Sequence, residues 1–259
     1  MQRPQDGPIL QGDSAPISHH EFCTFCGVFG PMLETKPNRP FSHNCAACGA
    51  SVRHRGQAGA LLSLYGKGRW RDFTSAVKDG AFAKLDIYEI AIKGPLKRHL
   101  QNSDRYVNSY FWEDLAPGAW KGAVQCQDLT RLTYADACFD LVLSTEVMEH
   151  VHDPWKAFEE VARVLRPGGS YVFTIPVRLP LPPASITRAT LNPDVQIEHL
   201  LPERYHRSGI GGDSLVFTDF GSDIFDRVRE IGLHMTSHIA SNANTTDSQF
   251  CTFVATKYV

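Results

Sequence analysis

The chain has 259 residues, 42% of them hydrophobic and 21% charged, a composition ordinary for a globular protein with one medium domain and a small appendage. Its formal net charge of -2 lacks the basic surplus usual in nucleic-acid binders. No apolar run approaches the ~20 residues that span a bilayer and the first twenty residues hold no signal-peptide core, so a cytoplasmic location with reduced cysteines is expected.

Residues 1–18 are rich in Pro, Gly, Gln and Asp and read as a disordered lead-in. The next segment, 19–55, carries two Cys-x-x-Cys knuckles, Cys23 with Cys26 and Cys45 with Cys48. Each is followed by a glycine, Gly27 or Gly49, which permits the tight turn a knuckle needs. Two such knuckles close a four-thiolate site for which Zn2+ is the usual occupant, so a small zinc ribbon is expected. The remaining cysteines, Cys126, Cys138 and Cys251, read as small buried apolar residues.

Residues 56–82 read as a linker region whose helix presents Ala58, Leu61, Leu62 and Tyr65 at helical spacing. The basic run Arg53, His54, Arg55 reads as the solvated start of that helix, with contact to a phosphate-bearing ligand as the alternative. From residue 83 to 259 strand and helix patterns alternate. Buried strands are expected over 85–92, 105–111, 123–130, 139–145 and 170–176. A helix over 154–165 has Asp153 as its N-cap, Pro154 in its first turn and a stop at Pro167, Gly168, Gly169. Alternation of this kind gives a parallel sheet covered on both faces, with ligands at the carboxyl ends of its strands.

The run "DLTRLTYADACFDLVLSTEVMEHVHDPWKAFEEVARVLRPGG" resembles class I S-adenosylmethionine-dependent methyltransferases of the branch called methyltransferase type 11. The resemblance extends over about residues 84–259. It implies an α/β fold with a Rossmann-like seven-stranded methyltransferase sheet whose last strand is reversed, here beside the small N-terminal zinc ribbon. It also implies S-adenosyl-L-methionine as cofactor, held by Asp128 and Leu129 after the third strand and by Ser144, Thr145 and Glu146 after the fourth. The glycine-rich first loop of the family is reduced here to Glu89, Ala91 and a single Gly94, and Ser109 stands where an acidic ribose ligand is usual.

Glu146, Glu149 and His150 follow the fourth strand, with His150 a candidate base. Their spacing also resembles the E-x-x-E-H metal run of magnesium-dependent O-methyltransferases; Mg2+ is therefore admitted at this turn but not expected. The insertion 177–218 lies where this fold builds its acceptor site, and Tyr205 and His206 are its candidate acceptor contacts. The activity expected is O- or N-methylation of a small-molecule acceptor, sugar-like or a secondary metabolite. An RNA methyltransferase with a zinc module and a non-catalytic binding protein are the alternatives. The oligomeric state is not legible.

Overall fold

The computed structural model describes residues 17–34, 43–207, 211–241 and 249–259. The expected lead-in lies outside them up to residue 16, and Ile17 and Ser18 already belong to the first strand. Strands β1 (Ile17–Phe22), β2 (Phe29–Glu34) and β3 (His43–Cys45) form an antiparallel three-stranded sheet in the order β1-β2-β3. Helix α1 (Val52–Leu61) follows, running into a π-helical turn over Leu62–Gly66, and then helix α2 (Phe73–Lys78).

The large sheet is built from β4 (Ile87–Ile90), helix α3 (Pro95–Leu100), β5 (Tyr106–Tyr110), β6 (Trp120–Lys121), β7 (Val124–Cys126), β8 (Phe139–Thr145), helix α4 (Pro154–Val164) and β9 (Leu165–Thr174). Six short strands make up the insertion: β10 (Ile186–Thr187), β11 (Ala189–Leu191), β12 (Ile197–His199), β13 (Tyr205–Arg207), β14 (Asp213–Leu215) and β15 (Thr218–Asp219). Helix α5 (Ile224–Glu230), β16 (Leu233–Ser241) and β17 (Gln249–Lys257) complete the chain.

Among the described residues the sheet has eight strands in the order β16-β17-β9-β8-β4-β5-β7-β6. The expected seven are all present. The eighth, β6, is a two-residue antiparallel edge against β7, too short to leave a periodic signal. β17 runs antiparallel to both β9 and β16 and is the reversed strand of the seven. The order changes direction between β4 and β8, which pair in parallel; this is the switch point where α/β sheets place ligands.

Alternation along the strands divides the core in two. On one face Tyr88, Val142, Tyr171 and Phe173 pack against Phe158 and Val161 of α4 and Ile224 and Val228 of α5. On the other, Ile87, Leu141, Leu143 and Val172 pack against α1, α2 and α3. That second cluster continues without a break into Cys23, Phe25, Met32 and Cys45 of the N-terminal sheet. The small module is thus fused to the large sheet through α1.

Two local readings need correction. α4 ends at Val164, and Arg166, Pro167, Gly168 and Gly169 lie inside β9. Gly168 has φ +77° and β9 shifts its register against β8 at this point, so the Pro-Gly-Gly run makes an irregularity in a strand instead of a break before one. The basic run at the start of α1 is not solvated throughout. Arg55 is buried and donates to the carbonyls of His43 (2.9 Å) and Ala50 (3.1 Å), which ties α1 to the second knuckle.

α1 is also tied to the large sheet. The Gln57 amide, fully buried, donates to the Ser144 carbonyl at 2.8 Å and accepts from the Thr145 hydroxyl at 2.9 Å. A Cβ on Gly56 would lie 2.5 Å from Thr252 Oγ1, so glycine is what allows α1 this close to β17. Gln57→Ala should remove this partner from the buried Ser144 carbonyl and the half-buried Thr145 hydroxyl and lower unfolding free energy by about 2–4 kcal/mol. Denaturant unfolding measures it; an unchanged midpoint would show that these bonds carry no stability.

Candidate active site at the strand ends

Residues Phe173, Ser144, Ile90 and Ser109 are register partners across β9, β8, β4 and β5. The segments that follow them leave the sheet along one rim. It collects Glu89 from β4 with Ala91 and Gly94 after it, Tyr110 at the end of β5, Asp128 and Leu129 after β7, and Ser144 and Thr145 at the end of β8 with Glu146 after them.

Glu89 is buried and accepts from the Tyr106 hydroxyl at 2.7 Å. Burial pushes its carboxyl up to about 7, against the pull of Tyr106 and Lys97. Gly94 stands beside it, since a Cβ there would lie 3.9 Å from Glu89 Oε1. The Ala91 carbonyl accepts from the Asn108 amide at 2.7 Å, which fixes the start of the loop. Asp128 Oδ1 accepts from the backbone N–H (2.9 Å) and hydroxyl (2.7 Å) of Thr130, and this local turn sets the carboxylate at the rim. Leu129 is buried in the core.

The side chains of Ser109 and Ser144 do not reach the rim. The Ser109 hydroxyl is paired with Tyr88 at 2.6 Å, and that of Ser144 with Tyr171 at 2.6 Å, both in the core. Strand alternation turns each inward, so the expected ribose contact by Ser109 is not available to its side chain, and Ser144 offers its backbone alone. That backbone, with Thr145, is held by Gln57.

Glu146 has φ +53°, a left-handed conformation rare for a side-chain-bearing residue and common at functional turns. Its N–H donates to the Thr174 carbonyl (3.0 Å) and its carboxylate meets Arg53 at 3.2 Å. Arg53 was not anticipated as a site residue; nothing in a basic helix start signals a partner 93 positions away. The chain then makes one 3₁₀ turn, Met148–His150. Glu149 is 1% exposed, and neither carboxylate oxygen receives a hydrogen bond. Burial raises its pKa above the usual carboxylate range, opposed by His150; Glu146 is raised too, by burial and then by Glu149.

The insertion closes over this turn. Phe217 N–H donates to the Glu149 carbonyl (2.7 Å) and His150 Nδ1 to the Leu215 carbonyl (2.7 Å). Leu215 lies in β14, which pairs with β13 so that His206 stands opposite Ser214. His206 Nδ1 is thereby 3.7 Å from Glu149 Oε1, and its ring is 5.4 Å from that of His150. Burial lowers the pKa of His206. Tyr205, expected beside it, is half exposed and donates to Glu203 at 2.9 Å. Neighbours on a strand point to opposite sides, so with His206 inward Tyr205 faces away from Glu149.

In the N-terminal module, just before α1, the four cysteine sulfurs lie within 4.8 Å of one another. Cys23 Sγ and Cys48 Sγ are 3.8 Å apart, as are those of Cys26 and Cys45. Gly27 (φ +78°) and Gly49 (φ +74°) each donate to the carbonyl of the first cysteine of their knuckle at 2.8 Å. Cys126 and Cys251 are buried and Cys138 partly so, away from this cluster.

Residues 103–173, a segment that runs from β5 into β9, match the family described as a methyltransferase domain. An uncharacterized methyltransferase of Mycobacterium sp. (strain JLS) is 48% identical over 50 residues, 19% of this chain and 20% of its own. The ubiquinone biosynthesis O-methyltransferase of Coxiella burnetii (strain Dugway 5J108-111) is 38% identical over 50 residues, 19% of this chain and 21% of its own. The chain thus spans about a fifth of the length of these curated relatives. A solved S-adenosylmethionine-dependent methyltransferase from Mesorhizobium loti is 14% identical with a TM-score of 0.45, covering 71% of this chain and 96% of that one.

The Glu89 environment makes a pH prediction. Its carboxyl titrates near its ordinary 4.5 in the unfolded chain and at about 7 when folded, so the folded state holds this proton more tightly. Stability is full below about 4.5 and falls as pH rises to about 7. In cofactor-free protein, Glu89→Gln should gain on wild type by on the order of 3 kcal/mol between about pH 4 and pH 8. Urea unfolding at the two pH values measures this, and a gap that does not widen would refute the raised value.

Proposed function

We propose that the protein is an S-adenosylmethionine-dependent methyltransferase acting on a small-molecule acceptor by O- or N-methylation. The observation that carries this reading is the common rim: Glu89 and the backbone of Ser144 to Glu146 flank the switch point between β4 and β8, and Asp128 follows β7 further along the same sheet. When bound, S-adenosylmethionine supplies an electrophilic methyl group on a sulfonium. The residues present fit it. Glu89 and Asp128 offer acceptors for ribose, amine or ammonium donors.

The chain's own contribution is alignment and exclusion of water, which supply much of the acceleration in a displacement of this kind. The β4–α3 and β8 ends fix the cofactor side. The 3₁₀ turn and the clamped insertion form the acceptor side, where Glu149, His150 and His206 activate the accepting atom. A site roofed by β13 and β14 suits a small molecule, as does the net charge of -2. The Coxiella burnetii relative is named for an O-methyltransferase of ubiquinone biosynthesis, which is in keeping with it. Titration with S-adenosylhomocysteine by calorimetry tests the reading. Asp128→Ala should weaken binding about 5–150-fold, the equivalent of 1–3 kcal/mol. Wild-type protein that binds no S-adenosylhomocysteine would leave a non-catalytic fold.

We read the cysteine cluster as a structural Zn2+ site. Four sulfurs about 2.3 Å from a tetrahedral zinc lie roughly 3.8 Å apart, the separation found for both sulfur pairs. Burial raises Cys23 to about 11, so a cation is needed to hold it as thiolate near neutral pH. Elemental analysis should find one Zn2+ per chain, lost together in Cys23→Ser and Cys48→Ser. Metal-free protein with the same melting temperature would contradict a structural role.

A further inference from the structure

Arg53 lies in the first turn of α1, the helix that follows the cysteine module, and its guanidinium reaches Glu146 at 3.2 Å. We infer that Arg53 is a positioning residue of the active site: it holds Glu146 and the turn after β8 in place, so that the N-terminal module takes part in the site. The inference rests on the rim reading above and deepens it.

The turn needs such a hold. Glu146 has φ +53°, and a side-chain-bearing residue keeps that conformation only where its surroundings over-determine it. Its N–H donates to the Thr174 carbonyl at 3.0 Å, which fixes the backbone and leaves the side chain to be fixed separately. Of the two carboxylate oxygens, Oε1 receives no hydrogen bond among the described residues, and Oε2 meets Arg53. The Arg53 and Glu146 side chains are 27% and 17% exposed, so the pair escapes much of the screening that makes surface ion pairs weak.

Charge gives a second reason. Burial raises the pKa of Glu146 and Glu149, their repulsion raises Glu146 further, and Arg53 opposes the rise at each. Among the described residues no other Lys or Arg forms an ion pair with either carboxylate. Their remaining partners, His150 and His206 at Glu149, are cations only when protonated.

The placement of Arg53 comes in turn from the cysteine knuckles. Two residues on, Arg55 donates to the carbonyls of His43 and Ala50, which bracket the second knuckle. The Arg55 carbonyl accepts from the hydroxyl of Thr24, between the cysteines of the first knuckle, at 2.7 Å. Both knuckles therefore grip the first turn of α1, and that turn aims Arg53. Gln57, one turn further, holds the same strand end by its backbone and by Thr145; Arg53 holds the side chain that Gln57 does not reach.

The test compares full-length, zinc-loaded wild type with Arg53→Met, which keeps the apolar stem, Arg53→Lys, which keeps the charge, and Glu146→Gln. Hydrogen–deuterium exchange without ligand reads the turn itself. In Arg53→Met, exchange in residues 144–150 should speed up about tenfold, between the effects of exposed and buried ion pairs. Arg53→Lys should restore most of the protection, Glu146→Gln should give a similar local rise, and residues 23–27 and 45–49 should be unchanged in all three. Calorimetric titration reads the consequence: Arg53→Met should bind S-adenosylhomocysteine about tenfold more weakly, with no further loss when added to Glu146→Gln. Unchanged exchange in Arg53→Met, a Lys variant no better than the Met variant, or the full loss repeated in the Glu146→Gln background overturns the inference. Faster exchange with wild-type affinity confines Arg53 to stability and overturns it as well. Wild type that binds no S-adenosylhomocysteine overturns the methyltransferase reading instead, and the exchange rates, measured without ligand, then decide for Arg53 by themselves.

Discussion

The two hydrogen bonds of Gln57 are the constraint on which the rest of this architecture depends. They join α1 to the last two residues of β8, at the point where the strand becomes the turn of the site. Four residues earlier on the same helix Arg53 meets Glu146, and between them Arg55 holds the second cysteine knuckle. One ten-residue helix therefore connects the cysteine cluster, the sheet and the strand-end rim. Its contacts are polar and buried, so each missing partner exposes a specific cost, whereas an apolar contact could slide. The close approach at Gly56 adds a steric limit to the same docking.

A second constraint acts from the opposite side. The insertion is irregular, built from strands of two or three residues, yet Phe217 and Leu215 bond to consecutive residues of the 3₁₀ turn. This pins the β13–β14 pair and so the direction of His206. The site is assembled from parts distant in sequence: α1 from before the sheet, the turn after β8, and the insertion after β9. None of the three would hold the geometry alone, because Glu149 needs its neighbours fixed to remain a buried carboxylate.

What the sequence disclosed follows from how local each signal is. The strand over 139–145, the Asp153 cap and the two glycine-marked knuckles are set by neighbouring residues, and each stands where the pattern placed it. The seven strands and the reversed β17 were legible through a family resemblance that is strongest at the same segment. Helix α5 was not, since Ile224 and Val228 alone make too short a stripe. The side chains of Ser109 and Ser144 turn into the core for another reason: at a strand end a shift of one residue decides between rim and core, and small hydroxyls satisfied by Tyr88 and Tyr171 give no hint of it. The same alternation leaves Tyr205 exposed beside His206. Arg53, Arg55 and Gln57 are long-range contacts of polar side chains, invisible to composition and periodicity alike.

The central claim is that one rim, at the carboxyl ends of β4, β7 and β8, is where the cofactor lies. Hydrogen–deuterium exchange with and without S-adenosylhomocysteine tests it most directly, because it reports position independently of turnover. The account predicts slowed exchange in residues 89–94, 128–130 and 144–150, with the cysteine knuckles unaffected. Protection confined to other segments, or none at saturating ligand, would contradict it.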